Sequence, residues 1–288
     1  MAMESPFKAE ILKGKVALLT GGGSGIGYEI SYQLGKHGAS IVIMGRRRNV
    51  LDSAVDSLRS HGIHAVGLEG DVRKREDAIR VLESTIKHFG RLDILVNAAA
   101  GNFLVAAEDL TTNGFRTVIE IDSVGTFTMC HEALKNLKKG GPGKHPSNGG
   151  TIINISVTMH YTATWYQIHV SSAKAAVDSI TRSLALEWGT DYDIRPSYKF
   201  GEKWDIAMAA LYLASDAGTY QFPDIGILVV MDLFVTHNVG KYVNGTTLVV
   251  DGGQWLSSPR DLPKEAVKQL SRAVESRSRA VGVPKSKL

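Results

Sequence analysis

Short apolar runs rich in β-branched residues alternate with segments of helical periodicity along the first two thirds of this chain. VALLT at 16–20, SIVIM at 40–44, HAVGLEG at 64–70, LDILVN at 92–97 and TIINIS at 151–156 each predict a buried strand. Helical spacing lies between them. It is clearest in EDAIRVLESTIKHF, where Ala78, Val81, Leu82, Thr85, Ile86 and Phe89 fall on one face and Gly90 supplies a stop. Strands alternating with helices imply right-handed crossovers and a parallel sheet covered on both faces, a doubly wound α/β fold.

The first predicted strand runs directly into TGGGSGIGYEI. A glycine-rich run between a strand and a helix is the context in which backbone can approach a pyrophosphate, with the helix N-terminus aimed at the anion. Gly21, Gly23, Ser24, Gly25, Ile26 and Gly27 are therefore candidate cofactor contacts. The second predicted strand leads into MGRRR. A carboxylate at that strand end selects NAD by bonding the ribose 2′-hydroxyl, whereas Arg46 and Arg47 suit a 2′-phosphate and predict NADPH. Asp71 and Val72, ending the third strand, are expected against the adenine, and Asn97, Ala98 and Ala99, ending the fourth, offer small side chains along which the cofactor lies.

TGGGSGIG, NAAAG, IDSVGTF, NIS, SSAKAAVDSITRSLALEW and VVDGG stand in the order and spacing of the short-chain dehydrogenase/reductase family, which this chain resembles well over 12–195 and less regularly to Trp255. Within the family, NAAAGNF, MHYTATWYQIHVSSAK and a terminal SKL look most like the branch of peroxisomal 2,4-dienoyl-CoA reductases. Carbonyl-reducing members carry Tyr-x-x-x-Lys. With Lys174 as the lysine, the tyrosine position holds Val170, which cannot exchange a proton.

The resemblance implies a different reaction. Hydride from NADPH reaches the δ-carbon of a 2,4-dienoyl-CoA, negative charge gathers on the thioester oxygen, and a water held between an acid and a lysine protonates the α-carbon to give a 3-enoyl-CoA. Asp122, in D-x-x-G-x-F, matches the acid. Lys174 matches the lysine and is also expected on the nicotinamide ribose. By the same resemblance Phe103 lines the acyl pocket and Arg73 meets the CoA moiety. Tyr161 and Tyr166 are candidate hydrogen-bond donors at its rim, while His160 and His169 show no metal-ligand spacing and are expected to be structural; no metal site is expected. A carbonyl-reducing dehydrogenase and a non-catalytic NADPH-binding isoform are the alternative readings.

The chain departs from the family after Arg195. The V-N-x-x-x-P-G strand and the substrate lid that follow in the family are absent, and Pro196 leads straight into a later helix region. A second segment, 219–240, matches nothing in the family, and its core IGILVVMDLFV is strongly apolar and β-prone. One expectation is that IGILVV enters the vacated sheet slot beside the fifth strand. The expected domain organisation is a single NADPH-binding catalytic domain over 12–256, with 219–240 as an atypical insertion, and a basic tail over 257–288.

Composition sharpens the setting more than the fold. The 288 residues carry a formal charge of +4, but seven cationic and two acidic side chains from Lys264 onward leave the rest near neutral, so no nucleic-acid partner is expected. A single cysteine, Cys130, excludes an internal disulfide, and no apolar run approaches the roughly 20 residues of a membrane span. Ser286, Lys287 and Leu288 form a peroxisomal address for an import receptor, placing the expected enzyme in the peroxisomal matrix. A homo-oligomer is the assembly that the family resemblance implies.

Overall fold

The computed structural model describes residues 10–145, 149–157, 159 and 163–192, together with two strands at 229–231 and 248–250. The expectations at Tyr161, His160, Arg195, Pro196, Trp255, most of 219–240 and the whole 257–288 tail, including Ser286, Lys287 and Leu288, lie outside the described residues.

The predicted strands are present, each end within two residues of the predicted one: β1 (Val16–Thr20), β2 (Ser40–Gly45), β3 (Ala65–Glu69), β4 (Ile94–Asn97) and β5 (Thr151–Ser156). They are joined by α1 (Gly25–Lys36), α2 (Arg48–Ser60), α3 (Arg75–Phe89), α4 (Thr112–Ile119) and α5 (Gly125–Leu137), and α6 (Ile168–Tyr192) follows β5. The order β3-β2-β1-β4-β5 runs parallel, with its direction of progression reversing beside β1. Such a reversal opens a crevice at the carboxyl ends of the strands, where ligands bind in doubly wound folds.

Both faces of this sheet are covered because successive strand residues point to opposite sides. Leu18, Val42, Leu95 and Ile152 join the layer beneath α3, α5 and α6, with Leu82, Met129, Leu137 and Trp188. Their neighbours Leu19, Ile43, Val96 and Ile153 join the opposite layer with Leu51, Val55 and Leu58 of α2. The strands therefore read as continuous apolar runs rather than alternating ones. At the far end of the sheet Asp93 is nearly enclosed; its carboxylate accepts the Val16 amide at 2.9 Å and Arg91 Nη2 at 2.8 Å, fixing β1 against β4.

Two further strands extend the sheet beyond β5. β6 (Val229–Met231) lies in the segment without family counterpart, and β7 (Leu248–Val250) in TTLVVDGG. The slot beside β5 is thus filled, as the apolar run IGILVV suggested, but β6 runs antiparallel, pairing Ile155 with Met231 and Ser156 with Val230. β7 is antiparallel to β6 in turn. The parallel sheet expected from the sequence accordingly holds for the first five strands of a seven-stranded sheet.

Val230 stands on a strand flanked on both sides, so its amide has a ladder role that proline cannot fill. Val230→Pro is expected to lower unfolding stability by about 1–3 kcal/mol in urea titrations. Hydrogen exchange on the unaltered chain should show the 229–231 amides protected; exchange at coil rates would contradict the pairing.

Candidate active site

The crevice begins at the loop after β1. Gly21 has φ +66° and donates its amide to the Met44 carbonyl at 2.8 Å, so the loop turns sharply and stays tied to β2. A Cβ at Gly21 would stand 2.8 Å from the Ala98 carbonyl oxygen, and one at Gly27 would stand 2.4 Å from that of Gly21. Only glycine permits these approaches. Ser24 occupies the N-cap of α1 with extended backbone but makes no side-chain cap, which leaves first-turn amides facing the crevice. Gly23, Gly25 and Ile26 complete this cradle, with Ser24 and Gly25 exposed. A loop of this shape fits a bound anion.

The loop is held to the end of β4 by Thr20, whose Oγ1 accepts the amides of Ala98 and Ala99, each at 3.1 Å. Asn97, one residue earlier, is buried and turned inward, donating to Asn154 Oδ1 at 2.8 Å; Asn154 in turn donates to Thr181 Oγ1 at 2.8 Å. This polar chain links β4, β5 and α6 beneath the crevice floor. Cys130 lies beside it, and burial pushes its thiol up to about 12, so it is inert.

At the ends of β2 and β3, Arg46 and Arg47 are exposed. Asp71 is gripped by Arg73, whose Nε lies 3.0 Å from Oδ1 and 3.1 Å from Oδ2. Burial raises the Asp71 carboxyl, but the Arg73 hydrogen bonds and the charges of Arg73 and Arg46 outweigh it and hold Asp71 below the ordinary carboxylate range. Arg73 is thus turned toward the Asp71 corner. Val72 is buried under α5, where a Cβ on Gly125 would meet its side chain at 2.7 Å.

The second part of the site comes from a break between α4 and α5. Residues Glu120–Val124 form one turn of π-helix, and this widened turn carries Asp122 inward until it has 0% exposure. Asp122 Oδ1 accepts the Gly101 amide at 2.7 Å, and Oδ2 stands 3.1 Å from Lys174 Nζ. Lys174, 5% exposed, also donates to the Ile155 carbonyl at 2.9 Å. Burial pushes the Asp122 carboxyl above its ordinary value, and Lys174 together with the Gly101 amide pulls it part of the way back. Lys174 is thus enclosed between the π-turn and β5 rather than presented to solvent.

One turn before Lys174, Val170 is 4% exposed and packs with Val118 and Ala173, against which Phe103 and Met159 lean. Phe103 also stacks on His169, with ring centroids 4.3 Å apart. Tyr166 has the left-handed φ of +67°, and its carbonyl accepts the Val105 amide at 3.1 Å, tying the loop that carries Phe103 to the start of α6. The structure therefore brings Asp122, Lys174, Val170 and Phe103 into one region, beside Asn97, Ala98 and Ala99. Arg46, Arg47, Asp71 and Arg73 form a separate corner along the same strand ends. Sequence reasoning missed Gly101, Asn154, Thr20 and the π-turn; the NIS run was the one available signal, for Asn154. Among the described residues no cluster of side chains suits a metal ion, and no helix is long and apolar enough to cross a membrane.

Comparison with known proteins agrees with this geometry. The family model described as short chain dehydrogenase matches residues 15–195. A peroxisomal 2,4-dienoyl-CoA reductase of Arabidopsis thaliana is 63% identical, covering 99% of this chain and 100% of its own. That alignment spans 320 positions against the 288 residues here, so the relative carries residues that this chain lacks. The Danio rerio protein of the same name is 36% identical, covering 94% of this chain and 90% of its own. A crystal structure of a short chain dehydrogenase from Bacillus anthracis superposes with a TM-score of 0.64 at 32% identity, over 88% of this chain and all of that one. On its fold, its glycine loop and these matches, the chain belongs to the short-chain dehydrogenase family.

Proposed function

We propose that this chain is an NADPH-dependent 2,4-dienoyl-CoA reductase that forms 3-enoyl-CoA in the β-oxidation of unsaturated fatty acids. The observation that carries the reading is the buried Asp122–Lys174 pair one turn from Val170, where a tyrosine would serve carbonyl reduction. The 63% identity to a plant protein bearing that name supports it.

In this reading the loop from Gly21 to Gly27 receives the pyrophosphate, Arg46 and Arg47 the 2′-phosphate, and Asp71 and Val72 border the adenine. Ala98 and Ala99 leave room for the cofactor, with Asn97 bracing the strand end beneath them, and Lys174 reaches the nicotinamide ribose. The nicotinamide supplies hydride for the δ-carbon of the dienoyl chain. The chain's own work is then to manage a proton. A water seated against the Asp122–Lys174 pair gives a proton to the α-carbon and is resupplied with one by Lys174 Nζ, which recovers its own from solvent, while the Asp122 carboxylate keeps the ammonium oriented. Val118, Val170 and Phe103 give the acyl chain an apolar wall that excludes bulk water. Arg73 turns from Asp71 toward the CoA moiety. Soluble matrix residence follows from import through Ser286, Lys287 and Leu288, as the peroxisomal names of the relatives suggest.

Asp122→Asn and Lys174→Met are each expected to lower kcat by about 100-fold or more for NADPH oxidation by a 2,4-dienoyl-CoA, measured beside a chain carrying the family's missing segment after Arg195. Absence of dienoyl-CoA turnover in both parent chains would overturn the reading. Asp122 also carries a pH signature. Its folded pKa lies above the ordinary 3.8, so the native state binds this proton more tightly than the unfolded chain and stability is lost as pH rises through the folded value. As pH rises above the ordinary carboxyl value of 3.8 and through the raised folded one, the parent's melting temperature should fall relative to that of Asp122→Asn.

The arginine corner gives an independent check. Arg46→Ala with Arg47→Ala is expected to weaken NADPH binding by about ten- to a hundredfold, with NADH binding little changed. Equal losses for both cofactors in calorimetry would remove the 2′-phosphate assignment.

A further inference from the structure

His169 is a polar side chain for which neither the fold nor the proton step has a use. It has 0% exposure, and neither ring nitrogen has a hydrogen-bond partner. Phe103 backbone lies near enough to raise its pKa a little without meeting hydrogen-bond geometry, and burial dominates, lowering it to about 4. The ring is neutral, with one N–H donor and one lone pair unused. Buried donors without partners are uncommon because each forfeits its bonds to water. Two residues earlier Gln167, also nearly enclosed, keeps an amide oxygen in the same condition.

The surroundings narrow what such a donor is for. Phe103 covers one face of the imidazole at 4.3 Å and is wedged against α4, where a Cβ on Gly114 would reach its ring at 3.2 Å. Val170 follows His169 directly and contributes only apolar surface, with Val118 and Ala173. Lys174 lies five residues along α6, a rise of about 7.5 Å. An acyl chain laid on this wall has a single polar atom between its hydrocarbon and the CoA moiety, the thioester carbonyl oxygen, and that is where charge gathers when the far end of the conjugated system accepts hydride. With valine at position 170, no tyrosine hydroxyl is there to meet it.

We propose that the imidazole N–H of His169 donates a hydrogen bond to the thioester carbonyl oxygen of the bound acyl-CoA, once the half-buried Phe103 side chain turns aside. This rests on the acyl-CoA reading above. A neutral donor suits the task, since it stabilises a developing oxyanion without surrendering its proton to it.

The test compares binding of a saturated medium-chain acyl-CoA thioester with that of the matching S-alkyl-CoA thioether, which lacks the carbonyl, to the full chain in the presence of NADP. The unaltered protein is expected to prefer the thioester by about tenfold. His169→Phe and His169→Met should bind the thioether as the parent does and lose the preference, so the comparison survives misfolding of either one. His169→Gln, which restores an N–H, should recover part of it. Retention of the full preference in a donor-less variant that folds overturns the proposal. So does equal binding of both ligands by the parent, which would leave the acyl-CoA reading standing; binding of neither would overturn both.

Discussion

The constraint on which this site turns is the cost of enclosing a carboxylate. Asp122 has no exposure, and its ionised form is tenable only because Lys174 Nζ and the Gly101 amide face its two oxygens. Removing one member of such a pair costs about 3–5 kcal/mol, whereas replacing both with apolar groups is often neutral, so the pair is poor evidence for stability and better evidence for use. Its geometry also recruits neighbours. Lys174 is held by the Ile155 carbonyl on β5, Asp122 by the loop after β4, and Ser123 Oγ reaches the Ala173 carbonyl at 2.9 Å. The π-turn, β5 and α6 are thereby fixed relative to one another through a handful of polar contacts inside an otherwise apolar seam.

Around this centre the sheet acts as a rigid rack. Its two apolar layers leave the strand ends little freedom, and the polar contacts at those ends set fine positions: Thr20 joins β1 to the residues after β4, and Asn97, Asn154 and Thr181 join β4 and β5 to α6. The glycine loop belongs to the same rack, since its closest approaches are to the Ala98 carbonyl and to its own backbone. A ligand lying across these ends meets groups whose places are determined by packing on the other side of the sheet.

Much of this was legible in the residues. Apolar runs located the first five strands to within a residue or two, because strands buried on both faces have no polar alternation to blur them. The glycine loop was legible because its spacing has a steric cause, and Asp122 and Lys174 through the family pattern. What stayed hidden depends on contacts between distant segments. No local signal marks the extra residue that turns Asp122 inward, and His169 has no ligand spacing to distinguish it from a core histidine; its interest arises from partners that it lacks. Arg73 is a further case, since nothing in the sequence marks that its guanidinium rests on Asp71 two residues earlier. The direction of the strand beside β5 was also invisible, as an apolar run reads the same either way.

That direction changes how the chain serves the crevice. Ser156, at the cofactor end of β5, pairs with Val230, and Ile155, one step farther from it, pairs with Met231. Polypeptide therefore enters β6 at the level of the chemistry and leaves it moving away. In a parallel strand the exit would lie at the reacting end, so whatever followed would be within reach of bound substrate. Here the end of β6 nearest the chemistry is its entry at Val229, so an engineer wishing to build a cover over this crevice would graft it upstream of Val229 rather than downstream of Met231.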